Sequence, residues 1–394
     1  MMQLGKGLEN SIILYILLFL ACMNCMGQAT LFFLLFDLYG LFSIKFKGNG
    51  SSKNALLYFM ITLSAFVTSC FQYEFTEVIK PIVIFFTFYV AYYGYQVVVD
   101  KEKFIKYLVF AVFAGFFANL LLTYYLNFYV IGHVAGTRVL YNYWTHDVIA
   151  VTLVGLISSV VIGYSFYCLF CHPSRIMKIL GVGCILLAAK VNIDTATRTP
   201  FVILFVVYAV LLYELYKQSK LTQKVGLICL VVLFASVLFH YLLPLLSDSA
   251  IANRFDESGL ETSRWEIMEF YFSSLLDYPI GGHNVSAILH KEAHNLLFEG
   301  FDYYGVIFFV FMLILQVVMI YRLWLLHRIK NKTRIVFLLM AMMIAVYLQS
   351  WAEPVLAGYP QLAWSMFLFD GLIAAYLRDK ENCNVVPNRA NSIR

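Results

Sequence analysis

The residues best suited to chemistry in this chain lie in one long polar interruption between apolar segments. Arg264 and Trp265 lie in its middle, and His294 and Asn295 lie near its end. A histidine titrates close to neutral pH and can accept a proton from an attacking hydroxyl group. An arginine guanidinium group binds phosphate oxygens through two parallel hydrogen bonds. Together these residue types predict acid–base chemistry on a phosphorylated substrate.

Two further arginines strengthen the case for an anionic substrate. Arg198 lies in a short polar turn between apolar segments, and Arg254 precedes Arg264 by ten residues in the long interruption. Arg254 and Arg264 can converge on a pyrophosphate, and the short turn can present the single cation of Arg198. The alternatives are a cation that reaches to the lipid–water interface and a solvated loop surface whose arginines pair with nearby acids.

His294 is the candidate general base, and Glu299 and Asp302 follow closely enough to orient its ring. A structural histidine at the membrane surface is the alternative. His283 and His290 are weaker candidates because they lack such a setting. Their spacing matches no HExxH or compact Cys/His pattern, and the chain has no Walker-type or GxGxxG loop. We therefore predict no metal and no cofactor. Glu353, in a short turn after an apolar segment, receives no role.

Long apolar segments must position these residues. The chain has 394 residues, 62% of them hydrophobic, and its mean hydropathy is +0.79. Because a membrane-spanning helix needs about 20 apolar residues, the sequence predicts an all-α, polytopic integral membrane protein with about 12 transmembrane helices. The predicted spans are 10–27, 28–44, 55–73, 80–99, 107–129, 147–170, 179–195, 199–216, 225–245, 303–322, 334–351 and 361–377.

The distribution of basic residues sets the orientation. Most lysines and arginines fall in segments on one side, which is the cytoplasmic side by the positive-inside rule. Both termini are then cytoplasmic, and residues 246–302 form one large loop with short helices on the opposite side of the membrane. We predict a single membrane domain over 1–394 and a disordered cytoplasmic tail over 379–394. The net charge of +5 follows from this distribution, so we expect no nucleic-acid partner.

A minority of the basic residues lie on the opposite side, where insertion disfavours cations. An anionic substrate explains them, and pairing with acids on that side is the alternative. Lys190 and Asp194 are such a pair, at i and i+4 on one helical face. The full set is Lys80, Arg138, Lys190, Arg198, Arg254, Arg264 and Lys291.

Several motifs together resemble the bacterial O-antigen ligase and polymerase superfamily. They are the short Thr197-Arg198 turn, a large loop containing Ser263-Arg264-Trp265, the break at Pro279-Ile280-Gly281-Gly282, and Ala293-His294-Asn295 at the end of the loop. Ten residues separate His294 from Gly305, a spacing similar to that of the ligase branch. Arg138 with His146 resembles a smaller upstream periplasmic loop of the same family. The predicted start of a helix at Arg264, capped by Thr262 or Ser263, fits this reading.

The resemblance implies a GT-C-like fold in the bacterial inner membrane and an inverting glycosyl transfer at its periplasmic face. The donor is a glycan on undecaprenyl pyrophosphate, and the acceptor is a sugar hydroxyl of lipid A–core or of a second lipid-linked glycan. By carry-over, His294, Arg198 and Arg264 are catalytic. The residues implied for substrate binding are Arg138, Arg254, Asn295, Trp265, His146 and Glu299.

Ligase and polymerase differ in the acceptor. Polymerases of the family often have two sizeable periplasmic loops, whereas this chain has a long one and a short one at 130–146, which favours a ligase. A secondary transporter with about 12 spans is the alternative from another class. It would be built from duplicated halves with matching broken helices, and the sequence contains neither.

Overall fold

A computed structural model describes residue 8 and residues 11–44, 53–72, 75–226, 228–229, 264–291, 293–356 and 358–390. The described chain is helical apart from one short hairpin, and the predicted all-α class is confirmed. Arg254, Thr262 and Ser263 lie outside the described residues, as does most of the predicted span 225–245.

The helices follow the apolar segments closely. In chain order they are α1 (Ile12–Cys22), α2 (Ala29–Ile44), α3 (Lys53–Gln72), α4 (Ile79–Val97), α5 (Lys101–Tyr124), α6 (Val151–Phe166), α7 (Arg175–Asp194), α8 (Thr199–Gln218), α9 (Arg264–Ser273), α10 (Asn284–Leu289), α11 (Leu296–Arg328), α12 (Arg334–Ser350) and α13 (Pro360–Ala390). Single π-helical turns extend α5 to Val130 and α6 to Cys171.

Several of these helices are compatible with a multi-pass membrane protein. Within the described ranges, six helical segments are long and apolar enough to cross a membrane: Ala55–Gln72, Lys101–Val130, Val151–Cys171, Arg175–Asp194, Thr199–Gln218 and Leu296–Arg328. Ile12–Cys22, Ala29–Ile44 and Arg334–Ser350 are apolar but shorter.

The chain divides into two compact units. The first, unit one, comprises Met1–Gly115, Ile267–Ile329 and Glu353–Arg394; the second, unit two, comprises Phe116–Glu266 and Lys330–Ala352. Each unit takes residues from separated parts of the chain. Hydropathy reports the individual helices and carries no information about which of them pack together, so the division is invisible in the sequence.

In unit one, α4 packs along α13 and beside α3. Tyr58 stacks on Phe88 with ring centroids 3.9 Å apart, and its hydroxyl donates to the buried carboxylate of Asp370 at 2.7 Å. Arg322 of α11 also pairs with Asp370. Because unpaired charges are very costly in an apolar interior, Arg322 and Asp370 stay together. With Tyr58 they link α3, α11 and α13.

The last helix of unit one continues to Ala390. The side chain of Asp379 accepts a hydrogen bond from the ammonium group of Lys101 at 2.6 Å. This ion pair joins the start of α5 to α13 at Asp379. Lys101 precedes Asp379 by 278 positions, and so distant a partner leaves no local signal.

In unit two, α6 is buried on almost every side, with α7, α8 and α12 around it. Asn192 donates to the Ser158 hydroxyl at 2.9 Å, and Ser159 donates to Gln349 at 2.9 Å. These hydrogen bonds satisfy polar groups in an apolar interior.

A hairpin precedes α6, formed by β1 (Val139–Tyr141) and β2 (Val148–Ala150), with Leu140 opposite Ile149. The Asn127 side chain bonds to both the N–H and the C=O of Tyr141, at 2.8 Å each. The sequence indicated a helix from residue 147. Because residues 148–150 pair as a strand, the helix begins at Val151 instead.

Candidate functional site

His294 lies immediately before α11, in a position fixed by its neighbour. The side-chain oxygen of Asn295 accepts a hydrogen bond from the Leu297 N–H at 2.8 Å, which makes Asn295 the N-cap of the helix. Asn295 is buried. A capped N-terminus holds the backbone of the preceding residue in one conformation. The Cα position from which the His294 side chain extends is therefore fixed.

The acid beside this ring is Glu353. His294 Nδ1 lies 3.5 Å from Glu353 Oε2, and the side chains are 30% and 1% exposed respectively. One ring edge therefore faces a buried carboxylate while part of the ring stays accessible. Sequence reasoning looked for this partner at Glu299 and Asp302. It missed Glu353 because the turn between α12 and α13 is far from His294 in the chain.

Glu299 has a different place in the same arrangement. Its buried carboxylate accepts hydrogen bonds from the backbone N–H groups of Val355 at 2.8 Å and Leu356 at 2.7 Å. Both donors follow Glu353 within three positions. Glu299 therefore fixes the turn that carries Glu353 and acts on His294 through that turn.

Asp302 lies one turn further along α11 and accepts hydrogen bonds from the first turn of α10. Its Oδ1 accepts from the N–H groups of Val285 and Ser286 at 3.2 Å each. Its Oδ2 lies 3.6 Å from His283 Nδ1. The pairing of Asp302 with His283 was not anticipated by the sequence.

The Pro279–Gly282 break and Gly305 meet in one contact. Gly305 has φ of 81° and kinks α11, and the Val306 N–H donates to the Pro279 carbonyl at 2.9 Å. A Cβ atom on Gly281 would lie 2.7 Å from Gly305 N, and one on Gly305 would collide with Pro279 O. Only glycine allows two backbones to approach so closely.

Arg198 is the N-cap residue of α8 and is half-buried. The Thr195 and Thr197 hydroxyls bond to each other at 2.8 Å. The turn rests on α6, because a Cβ atom on Gly155 would lie 2.9 Å from Thr197 Cγ2. The turn thus holds a guanidinium group at a helix N-terminus, where the helix dipole also favours an anion.

Arg264 begins α9, as the sequence predicted. Its Nη1 donates to the Ala352 carbonyl oxygen at 2.7 Å, within unit two. Trp265 follows with 74% of its surface exposed. Arg254, its proposed companion, lies outside the described residues.

Arg138 and His146 belong to the hairpin region, and both are exposed. His146 has φ of 57°, and its N–H donates to the Asn142 carbonyl at 3.0 Å. The predicted pair of Lys190 and Asp194 is confirmed, with Nζ and Oδ1 2.8 Å apart. Among the described residues, no group of three or more His, Cys, Asp or Glu side chains could hold a metal ion.

The predicted residues are divided between the two units. Unit one holds His294, Asn295 and Glu299 around the N-terminus of α11, with Glu353 beside them. Unit two holds the other described candidates, Arg138, His146, Arg198, Arg264 and Trp265. No family model matches the chain, and no curated protein matches its sequence.

Proposed function

We propose that this protein is an O-antigen ligase of the bacterial inner membrane. It transfers a polysaccharide from undecaprenyl pyrophosphate to a sugar hydroxyl of lipid A–core at the periplasmic face. The observation that carries the proposal is the part-exposed His294 ring beside the buried Glu353 carboxylate, 3.5 Å away. Such a pair is suited to removing a proton from an acceptor hydroxyl.

The reaction is an inverting displacement without a metal. The acceptor oxygen attacks the anomeric carbon opposite the leaving group, while its proton passes to His294. A new glycosidic bond forms as the bond to the pyrophosphate oxygen breaks. Because Nδ1 faces Glu353, Nε2 is the nitrogen that takes the proton, and the carboxylate stabilises the imidazolium that results.

The arginines serve the donor. As the bond breaks, negative charge grows on the pyrophosphate, and fixed cations stabilise that charge most effectively when they are already in position. Arg198 is held by a packed turn, and Arg264 is held by its bond to Ala352. Arg138 and Arg254 are further donor contacts in this proposal. The proposal also assigns Trp265, His146 and Asn295 to substrate binding. Glu299 contributes by positioning the turn that carries Glu353.

The alternative is a polymerase for O-antigen or capsule repeats, with a lipid-linked repeat as acceptor. The same residues would catalyse it. The ligase is favoured because the upstream loop is short and contains the β1–β2 hairpin, whereas polymerases of this superfamily often have two sizeable periplasmic loops.

Deleting the gene in its host tests the proposal. Lipopolysaccharide is run on a gel beside a blot for lipid-linked O-chains, with a complemented strain as control. A ligase predicts bare lipid A–core and long chains on the undecaprenyl carrier. Core capped by a single repeat would identify the polymerase, and an unchanged ladder would refute both and favour the transporter.

A further inference from the structure

A cavity of about 380 Å³ opens in unit two, at the start of α7 and α12 and the end of α8. Three basic side chains line it: Lys178, Lys332 and Arg334. His172 lines it as well, and none of the described residues that line it is acidic. The cavity is therefore a concave, positively charged surface, separate from the candidate active-site residues.

Lys332 is neutralised by a neighbour. Its Nζ lies 2.7 Å from Oε2 of Glu214, and both side chains are almost fully buried. Its backbone N–H donates to Gln218 at 2.9 Å. Lys332 thus anchors the wall of the cavity, and its charge is compensated.

Among the described residues, no acid compensates Lys178 or Arg334 in this way. Both are exposed, and neither has an ion pair or hydrogen bond to a side chain anywhere in the described ranges. Two cations at one cavity repel each other unless an anion lies between them. Basic residues whose only role is to set the orientation of the protein in the membrane can lie on an open surface. Lys178 and Arg334 instead line a concavity.

The backbone around the cavity adds donors for an anion. Helices α7 and α12 begin at it, and their N-cap residues, Ser174 and Thr333, form no side-chain cap. The Ser174 N–H donates to Nδ1 of His172 at 3.1 Å. In the neutral ring Nε2 therefore carries the proton and is a donor. Helix N-termini favour phosphate groups.

We infer that this cavity binds a phosphate group through Lys178 and Arg334. The group comes either from the headgroup of an anionic phospholipid or from a free phosphate ion. The positive-inside pattern predicts that this end of the helices faces the cytoplasm, where basic pockets between helices take anionic headgroups.

Binding to the purified full-length protein in a neutral detergent tests the inference. The probes are phosphatidylglycerol with short acyl chains, phosphatidylcholine with the same chains, and inorganic phosphate, each titrated by calorimetry at low ionic strength. The variant is the double substitution K178Q/R334Q. The matched control is R175Q/K220Q, which removes the same two residue types from exposed positions that do not line the cavity.

We expect an anionic probe to bind the wild type and the control equally, and the cavity variant roughly tenfold or more weakly. Binding of phosphatidylglycerol alone identifies a lipid headgroup, and binding of inorganic phosphate identifies a free anion site. Absence of binding by both anionic probes overturns the inference. So does equal loss in both variants, or binding of phosphatidylcholine as tight as that of phosphatidylglycerol.

Discussion

Replacing Glu299 with alanine should loosen the turn that carries Glu353. The carboxylate accepts two hydrogen bonds, from the N–H groups of Val355 and Leu356, and all three residues are buried. A buried donor left without a partner costs about 1–3 kcal/mol. The two donors together therefore predict a loss of about 2–6 kcal/mol in the free energy of unfolding.

Glu299→Gln separates the effect of the side chain's shape from the effect of its charge, because glutamine has nearly the same shape and no charge. The amide oxygen can still accept, but a bond to a neutral acceptor contributes roughly 1 kcal/mol less than one to a carboxylate. We expect the glutamine variant to lose about 2 kcal/mol and the alanine variant to lose more. Glu269→Ala is the control, because Glu269 is exposed on α9 and surface substitutions usually change stability by less than about 0.5 kcal/mol.

The assay is denaturant unfolding of the purified protein in detergent micelles, followed by circular dichroism. Transfer activity is measured on the same samples below the transition. The alanine variant should lose activity even where it is folded, because Glu353 is no longer held beside His294. An alanine variant as stable and as active as Glu269→Ala would refute the reasoning about this turn.

Three other substitutions test separate parts of the structure. Gly305→Ala should lower stability by about 1–3 kcal/mol, since the φ of 81° and the Pro279 carbonyl exclude a Cβ atom. Gly183→Ala is the control, because open space surrounds Gly183, and equal melting temperatures of the two variants would contradict the prediction. Asp370→Ala should lower the free energy of unfolding by about 3–5 kcal/mol, because it leaves the buried charge of Arg322 unpaired. The double variant Asp370→Ala/Arg322→Met should recover stability. If the losses of the two single variants simply add in the double variant, the pairing is refuted. Arg264→Lys should raise the KM for the lipid-linked donor about tenfold, because lysine lacks the planar fork; an unchanged KM would remove Arg264 from donor binding.

Helix positions could be predicted from the sequence because the signal is local. Apolar runs of sufficient length placed α3, α4, α8 and α12 within a few residues of their observed bounds. The hairpin was missed because its strands are three residues each and gain stability from Asn127, which lies outside both.

The candidate site was predictable in residue type and only partly in arrangement. Histidine and arginine outside the apolar runs stand out in this chain, so His294, Arg198 and Arg264 could be named as candidates from the sequence. Glu353 was noted without a role, because its partner precedes it by 59 positions and the contact depends on the fold. Glu299 was identified as important, yet its bonds to the 355–356 backbone could not be read from spacing.

Reconstituted glycan transfer tests the central claim most directly. Purified protein in vesicles is given an undecaprenyl-pyrophosphate-linked glycan and lipid A–core, with a chelator present, and the product is followed on gels. His294→Gln is compared with the wild type and with His290→Gln, whose histidine is exposed. We expect His294→Gln to fall roughly 100-fold or more in rate and His290→Gln to match the wild type. A His294→Gln variant that transfers glycan at the wild-type rate would contradict the account.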